Sequence, residues 1–401
     1  MSELYSLPNG WEWKKLGKIA KLQNGFAFKS KLFVNDGLPI VRIKNIKNEK
    51  VLLDDVVYFN VEDYGKKLDS YQIKKNDILI AMSGATTGKI GLYDTEEISY
   101  LNQRVGLFRI ENSNLRSYLF YFLSTQIEKN LELSLGAAQP NLSTEQINNI
   151  ELPLPPFEEQ KRIVAKLDNL FAKIDKAIAL HQKNIDEADI FMESVLNDVF
   201  VELNGVYQKR QLDSFDKKMS SGGTPSRKEK LYWDNGTIDW FSSGELNQLY
   251  TLPSKEKITQ LGLEKTSTKL FSKGTLLIGM YDTAAMKMSI LSNDGSCNQA
   301  IVGFKSDESE LNILFLKYQL EYLKKDILEQ RQGVRQQNLN LSKIKNIEIE
   351  YPPLKTQQKV VSYLDEISNK MEKIKQIQKE KMQSLKALKA SILDQAFKGE
   401  L

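Results

Sequence analysis

The sequence is poor in the residues that most often build metal sites and covalent catalytic sites. Its 401 residues include one cysteine, Cys297, and one histidine, His181. A zinc site with several Cys and His ligands and a Cys–His nucleophilic pair are therefore excluded. An internal disulfide is excluded too, and such low cysteine usage suits a reducing cytoplasm. His181 falls in a long helical pattern, where we expect a structural or solvated role.

Long apolar runs are also missing. No stretch approaches the roughly 20 apolar residues of a membrane-spanning helix. Residues 1–10 lack a basic segment followed by an apolar core, so we expect no signal peptide. The net charge is only +4, which is compatible with a nucleic-acid partner without being evidence for one. We expect a cytoplasmic globular protein with no membrane partner.

Nucleotide-binding and methyltransferase motifs are absent. Gly84-Ala-Thr-Thr-Gly-Lys89 has three residues between its glycines, where a phosphate-binding loop has four, and Ile90 occupies the position of its Ser or Thr. We therefore expect a tight turn after a strand. Leu154-Pro-Pro-Phe157 has Leu where the Pro-Pro-aromatic motif of amino-methyltransferases needs an acceptor side chain, and no glycine loop for S-adenosylmethionine is present. We expect no catalytic residue, cofactor or metal in this chain.

A long internal repeat is the main positive feature of the sequence. Residues 141–200 align without a gap to residues 338–397 at a constant offset of 197, and seventeen of the sixty aligned positions are identical. A repeat of this length predicts a chain built from two equivalent halves, each of which ends in the same element.

The repeated element predicts a helical turn, a short strand and a long helix. Ser143 and Gln146 have the spacing of a capping box, and residues 150–154 form a short apolar run. Pro155-Pro156 ends that strand and fixes the start of a helix. Beyond the prolines, apolar residues recur at steps of three and four without Pro or Gly, which predicts a helix of roughly 40 residues in each copy.

We expect the two long helices to pack on each other. Antiparallel packing would give the molecule a pseudo-two-fold axis. His181 and its equivalent, Gln378, lie at the midpoints of the two helical patterns. Either these residues meet in a polar layer that fixes the register of an apolar seam, or both lie at the edge of the seam and are solvated.

The predicted fold class is α+β, with two globular mixed α/β lobes joined by two long antiparallel coiled-coil helices. The predicted boundaries are 1–154 for the first lobe, 155–203 for the central helix, 204–351 for the second lobe and 352–401 for the C-terminal helix. In the first lobe, residues 115–130 predict a helix, and four segments predict strands: 38–43, 51–59, 77–82 and 105–110.

Two lobes on a stiff frame can hold two DNA-reading surfaces at a fixed separation, and major-groove faces recur about every 34–36 Å. Base and phosphate contacts need Arg, Lys, Asn, Gln, Ser or Thr on loops. The candidate DNA-binding residues of the first lobe are Lys29, Arg42, Lys44, Asn45, Ser83, Thr86, Thr87, Lys89, Gln103 and Arg104. Those of the second lobe are Thr224, Ser226, Arg227, Lys228, Lys230, Tyr281, Lys287, Gln299, Arg331, Arg335 and Gln336.

The chain resembles, over its whole length, the specificity (S) subunit of type I restriction–modification systems. The resemblance rests on the pattern Gln-x-Asn-Leu…Ile-x-Asn-Ile-Glu…Pro-Pro…Gln at 139–160 and 336–357. It also rests on Gly222-Gly-Thr-Pro-Ser226 followed by Tyr232-Trp233, which have no equivalents in the first half, and on the ending at 391–401. The family usually has Glu-Gln after the double proline, and the second copy departs from this with Thr356-Gln357.

The resemblance implies two target recognition domains, each of which reads half of a split site in double-stranded DNA, and two helices that set the spacer. It implies two modification (M) subunits as partners, which carry S-adenosylmethionine and methylate adenine, and restriction (R) subunits that join them. It implies no catalytic site in the S subunit itself. From the residues alone, a coiled-coil scaffold whose lobes bind proteins stays open, as does an NTP-dependent enzyme that uses Gly84–Lys89.

Overall fold

A computed structural model describes residues 5–64, 66–134, 141–329 and 339–401. The chain divides into two compact units. The first unit comprises Met1–His181 and Glu380–Leu401, and the second comprises Gln182–Lys379. Each unit therefore contains one lobe and a part of both long helices.

The described helices fall into short helices within the lobes and two very long ones. They are α1 (Leu16–Ile19), α2 (Ser113–Thr125), α3 (Ile127–Ser134), α4 (Thr144–Asn148), α5 (Phe157–Leu203), α6 (Gln260–Glu264), α7 (Ile313–Glu329), α8 (Leu341–Lys345) and α9 (Leu354–Lys398). The two long helices have 47 and 45 residues, more than the roughly 40 expected. No helix in the described ranges is both long and apolar enough to cross a membrane.

The strands are short and are distributed between the two lobes. Those of the first lobe are β1 (Glu12–Lys15), β2 (Leu22–Asn24), β3 (Leu38–Val41), β4 (Ile46–Lys47), β5 (Glu49–Val51), β6 (Val57–Phe59), β7 (Gln72–Ile73), β8 (Ile78–Ala81), β9 (Ile90–Leu92), β10 (Ser99–Leu101), β11 (Val105–Phe108) and β12 (Glu151–Leu154). Those of the second are β13 (Lys209–Gln211), β14 (Ser220–Ser221), β15 (Ile238–Phe241), β16 (Glu256–Ile258), β17 (Leu276–Gly279), β18 (Met288–Ile290), β19 (Gly295–Cys297), β20 (Ile301–Phe304) and β21 (Glu348–Glu350).

Both lobes use the same strand pairings. In the first lobe the order β2-β11-β8-β9 continues to β5 and β4, and β6-β3-β10-β7 forms a second sheet. In the second lobe the matching orders are β14-β20-β17-β18 and β16-β15-β19. The pairs β3·β10 and β15·β19 are parallel, whereas β3·β6 and β15·β16 are antiparallel. The two lobes therefore share the order of these strands.

The central strands are buried on both faces because their sequences are continuously apolar. Along β8, Ile78 and Ile80 pack into the core that includes the helices, whereas Leu79 and Ala81 pack into a second core on the opposite face of the sheet. In the second lobe, Leu276 and Leu277 of β17 divide between two cores in the same way.

In the first unit, α5 and the end of α9 pack antiparallel. Phe171 of α5 shares one apolar core with Ile392 of α9. Arg162 Nη2 donates to the Leu401 carbonyl at 2.7 Å, and the Lys389 ammonium lies 3.4 Å from the Asp175 carboxylate. Residue numbers thus rise along one helix as they fall along the other.

The second unit shows the same antiparallel packing with its own residues. Phe200 of α5 and Leu364 of α9 belong to one apolar core. Asn184 Nδ2 donates to Gln378 Oε1 at 3.4 Å, so Gln378 faces the partner helix. His181 and Gln378 are both half-buried. That these two residues meet stays a prediction.

The repeated element folds as the sequence predicts. Ser143 caps α4 with Gln146 in a reciprocal capping box, β12 follows, and α5 begins directly after Pro156. In both units the repeated glutamine links the first turn of the long helix to the double proline: Gln160 Nε2 donates to the Pro155 carbonyl and Gln357 Nε2 to the Pro352 carbonyl, each at 2.9 Å. The expected fold class, two mixed α/β lobes joined by two long antiparallel helices, is confirmed. The domain boundaries stay a prediction.

Three local predictions were wrong. The segment 51–59 is not one strand: β5 ends at Val51, and β6 begins at Val57. The strand predicted at 38–43 ends at Val41 and gives way to a 3₁₀ turn, Ile43–Asn45, and the helix predicted at 115–130 is divided at Gln126. In each case a side chain or a turn overrides the apolar pattern; Asn45, for example, accepts from the Arg42 backbone at 2.9 Å.

Candidate nucleic-acid interface

The candidate residues of the first lobe lie on loops that converge at one edge of the sheets. These loops follow β2, β3, β8 and β10. Three backbone hydrogen bonds, which we call the loop frame, join them: Met82 N to Arg104 O (2.9 Å), Asn102 N to Val41 O (3.2 Å) and Phe26 N to Leu101 O (2.8 Å).

The second lobe contains the same loop frame. Its three hydrogen bonds are Met280 N to Ala300 O (2.9 Å), Asn298 N to Phe241 O (3.0 Å) and Gly223 N to Cys297 O (2.9 Å). Each joins the loops that are equivalent to those of the first lobe. The structure thus brings the described candidates of each lobe to one set of loops.

A glycine in each lobe allows the loops to approach this closely. A Cβ atom at Gly25 would collide with the Asn102 carbonyl, and one at Gly222 would collide with the Cys297 carbonyl. Only glycine fits at either position. The sequence comparison found no equivalent of Gly222 in the first half, and this was wrong: Gly25 occupies the same place in the loop frame.

Several first-lobe candidates are exposed, whereas others form hydrogen bonds or ion pairs within the lobe. Lys29, Lys89, Gln103 and Arg104 are exposed, and the Lys44 ammonium pairs with the Asp55 carboxylate at 2.6 Å. That hydrogen bond to Lys44 lowers the pKa of Asp55. The exposed residues are available to a phosphate or a base edge, whereas Lys44 must exchange its partner to reach one.

Asn45 and Thr87 are buried and satisfied within the chain. Asn45 Nδ2 donates to the carbonyls of Leu52 (3.1 Å) and Asp55 (3.0 Å). Thr87 Oγ1 donates to the Gly84 carbonyl at 2.7 Å. These side chains shape the loops that carry the exposed candidates.

Three other first-lobe candidates have buried polar atoms without a hydrogen-bond partner: Arg42 Nε, Ser83 Oγ and Thr86 Oγ1. Asn130 Nδ2, which the sequence did not indicate, is another such atom, and its side chain lies against Gly88 of the same turn.

The turn itself settles the phosphate-loop question. Gly84–Thr86 is a 3₁₀ turn, and β9 follows it, so the segment connects two antiparallel strands. A phosphate-binding loop needs a helix N-terminus after the lysine. The expected tight turn after a strand is confirmed.

Second-lobe candidates form a more ordered set of contacts. Thr224 Oγ1 donates to Gln299 Oε1 at 2.5 Å, and Lys287 Nζ donates to Asn247 Oδ1 at 3.1 Å. Asn247 is a polar neighbour that the sequence analysis missed, because only the fold brings it to Lys287. Ser226, Lys228 and Lys230 are exposed, and Tyr281 is half-buried. Arg331, Arg335 and Gln336 lie outside the described residues.

Arg227 is engaged on several sides. Both terminal nitrogens of its guanidinium bond the Glu256 carboxylate, one of them at 2.8 Å, and its Cζ lies 3.8 Å from the centre of the Trp233 ring. The hydrogen bond from Arg227 lowers the pKa of Glu256. Arg227 thus links the segments of the second lobe that carry Glu256 and Trp233.

Catalytic chemistry gains no support from the geometry. Cys297 is fully buried, and burial raises the pKa of its thiol to about 12, so the thiol stays protonated at neutral pH. Across the described residues, no group of three or more His, Cys, Asp and Glu side chains is arranged to hold a metal ion.

Comparisons with known proteins agree with this geometry. A family model described as the type I restriction modification DNA specificity domain matches residues 8–187 and 205–381. The type I restriction enzyme MjaVIII specificity subunit of Methanocaldococcus jannaschii is 32% identical over 203 residues, which cover 49% of this chain and 47% of that protein. The chain thus matches about half the length of that relative. The StySPI specificity subunit of Salmonella potsdam is 24% identical and covers 98% of this chain and 90% of its own length.

A solved structure of a related system has a fold that resembles the whole chain. It is described as the structural basis underlying complex assembly and conformational transition of the type I R-M system. The superposition has a TM-score of 0.71 and 21% sequence identity, and it covers 99% of this chain and 100% of that chain. At this identity the likeness is one of fold.

Proposed function

The chain belongs to the type I restriction modification DNA specificity family, and we propose that it is the non-catalytic subunit that recognises the DNA sequence for a type I restriction–modification enzyme. Each lobe reads one half of a bipartite site in double-stranded DNA. The domain boundaries predicted from the sequence assign the two halves to residues 1–154 and 204–351.

The observation that carries this proposal is the loop frame. The same three hydrogen bonds hold equivalent loops in both lobes, while other exposed side chains on these loops differ: Lys29 and Arg104 in one lobe, Thr224 and Ser226 in the other. Two surfaces that read two different half-sites require a common backbone scaffold that carries different exposed polar side chains.

The long helices supply the spacing in this proposal. At about 1.5 Å per residue, helices of this size span roughly 65–70 Å, which exceeds the separation of successive major-groove faces at about 34–36 Å. The ion pairs Asp175–Lys389 and Asp189–Lys375 link the two antiparallel helices, one pair in each unit. A helix pair in fixed register keeps the length between half-sites constant.

The proposal includes the partners that the family resemblance implies. Two modification (M) subunits would carry S-adenosylmethionine and methylate adenine, restriction (R) subunits would join them, and the assembly would act on DNA in the cytoplasm. The names of the relatives, which describe specificity subunits of type I restriction enzymes, support only the association with other subunits of such an enzyme.

Selection from a random duplex library tests the proposal. The full chain, assembled with its modification partner, is expected to enrich two half-sites separated by a fixed spacer. Affinity should fall steeply with salt, because phosphate contacts release counterions. Enrichment of no bipartite consensus, or affinity indifferent to salt, would overturn the proposal and favour lobes that bind proteins.

A further inference from the structure

Both lobes place a glutamine at the same point of the loop frame. Gln103 follows Asn102, and Gln299 follows Asn298, in the loops after β10 and β19. Each asparagine turns its loop, because Asn102 Oδ1 accepts from Arg104 N (3.3 Å) and Asn298 Oδ1 accepts from Ala300 N (3.0 Å). Both glutamine side chains are exposed.

The loop that crosses beside Gln299 is pinned from several directions. Trp240 Nε1 donates to the Gly223 carbonyl at 2.9 Å, and Trp233 Nε1 donates to the Ser226 carbonyl at 3.2 Å. Arg227 stacks on Trp233 and pairs with Glu256. A surface loop held by two indoles and an ion pair is pre-organised. The backbone at Thr224 is therefore held in one position, from which its side chain reaches Gln299.

The first lobe holds its crossing loop with aromatic packing instead. Phe26 and Phe28 belong to an apolar cluster with Phe59, and their ring centroids lie 5.1 Å apart. Phe26 O accepts from Gln103 N at 2.8 Å. The two lobes therefore reach the same result, a rigid loop beside the glutamine, with unrelated side chains.

One difference between the lobes changes the chemistry of the glutamine. Thr224 holds Gln299 by donating to its Oε1, which leaves the two hydrogens of Nε2 as the donors that this amide can offer to a ligand. The loop frame makes Phe26 equivalent to Gly223, so the residue equivalent to Thr224 is Ala27, which is exposed and has no hydroxyl. Gln103 can therefore present its amide oxygen as well as its nitrogen.

We propose that Gln103 and Gln299 are the equivalent base-reading residues of the two lobes and that Thr224 decides what Gln299 reads. The proposal rests on the proposed function. An amide that presents both its oxygen and its nitrogen matches adenine, which offers N6–H₂ and N7 in the major groove. An amide whose oxygen is held by Thr224 matches guanine, whose O6 and N7 are both acceptors.

Arg227 is a positioning residue in this account and reads no base. Its guanidinium nitrogens donate hydrogen bonds to the Glu256 carboxylate, and the face of the guanidinium stacks on the Trp233 ring. Its loss should loosen Thr224 and Gln299 together, which would weaken discrimination at the base read by Gln299 while leaving the first half-site unchanged.

Reciprocal exchange of the two equivalent residues tests the proposal. The variants Thr224→Ala and Ala27→Thr, in the full chain with its modification partner, are passed through selection on random duplex DNA beside the wild type. Thr224→Ala is expected to lower the preference for guanine over adenine at one position of one half-site by on the order of tenfold or more. Ala27→Thr is expected to shift one position of the other half-site from adenine toward guanine.

The control is Lys228→Gln, since Lys228 is exposed on the same loop and has the chemistry of a phosphate contact. It should lower affinity for all sequences alike and leave the consensus unchanged. Gln299→Ala and Gln103→Ala should each relax one position, in different half-sites. Thermal melting of every variant checks that the fold is intact.

The outcomes separate cleanly. A wild-type consensus that all four Thr224, Ala27, Gln299 and Gln103 variants leave unchanged overturns the assignment of the readers while the proposed function stands. Relaxation of the same half-site by Gln103→Ala and Gln299→Ala also overturns it. Absence of any bipartite consensus for the wild type overturns the proposed function and this inference with it.

Discussion

Arg227 and Glu256 form an ion pair whose contribution to the free energy of unfolding depends on pH. The pKa of Glu256 is lowered in the folded chain, whereas the unfolded chain has an ordinary value near 4.5. The unfolded state therefore binds more protons in the window just below that value, and the contribution of the pair is present above 4.5 and lost as pH falls through the folded pKa. Because both side chains are about half exposed, the contribution is modest, about 1 kcal/mol.

We expect Glu256→Gln to lower the melting temperature at pH 7 and to have a smaller effect at pH 3. Thermal melts across this pH range measure the difference from the wild type. Glu308→Gln, at an exposed carboxylate of the same lobe, is the matched control and should have little effect. An equal loss at pH 7 and pH 3 would contradict the role of the ion pair.

Gly25 and Gly222 allow the closest backbone approaches in the loop frame. Gly25→Ala and Gly222→Ala place a Cβ against a backbone carbonyl that cannot move aside, so each should lower the free energy of unfolding by about 3 kcal/mol or more. Gly244→Ala is the control, because no atom lies within 4 Å of a Cβ built there. Urea denaturation measures all three, and similar small losses would show that the loops are not tightly joined.

Single-residue roles were only partly accessible from the sequence. The residue types of the loops predicted polar candidates, and many of them are indeed exposed. Sequence could not predict that Asn45 bonds the Leu52 and Asp55 carbonyls or that Arg227 is held by Glu256, because these partners come together only in the folded lobe.

Among the secondary-structure elements, a matched hydrogen bond ties each lobe to a long helix. Tyr121 of α2 donates to Asp168 of α5 at 2.5 Å, and Tyr318 of α7 donates to Asp365 of α9 at 2.6 Å. Tyr318 follows Tyr121 by 197 positions in the sequence, and Asp365 follows Asp168 by the same 197 positions, which is the offset of the repeat. Burial is the main cause of the raised pKa of both tyrosines, so the hydroxyls remain donors at neutral pH.

We expect a double-mutant cycle of Tyr121→Phe and Asp168→Asn to show a coupling of about 1 kcal/mol, and the same for Tyr318→Phe with Asp365→Asn. Urea denaturation of the single and double variants measures it. Tyr118→Phe combined with Asp168→Asn is the control, because the Tyr118 hydroxyl donates to the Pro153 carbonyl instead. Additive losses in both cycles would mean that these pairs do not link the lobes to the helices.

Elements were predictable where one pattern dominates. The apolar residues at steps of three and four, together with the double proline, predicted both long helices. The capping residues predicted α4. The lobes were harder, because their equivalence lies in strand pairing and in backbone hydrogen bonds, which many sequences satisfy. The strand predicted at 51–59 failed because polar turn residues, Asp54 and Asp55, interrupt an otherwise apolar run.

In the proposed function, two lobes with one topology and different exposed side chains read two half-sites, while the paired helices set the spacer. Four residues inserted after Lys183, with four more inserted beside Gln378 on the facing helix, should keep the helices paired, because Asn184 and Gln378 face each other. The insertion lengthens each helix by about 6 Å, or roughly one to two base pairs of DNA.

The most direct measurement is a map of the methylated adenines in a genome that carries this chain and its modification partner, made for the wild type and for the double insertion. We expect a bipartite site for the wild type, and the same two half-sites with a longer spacer for the insertion. A single continuous site, changed half-site bases or an unchanged spacer would contradict it.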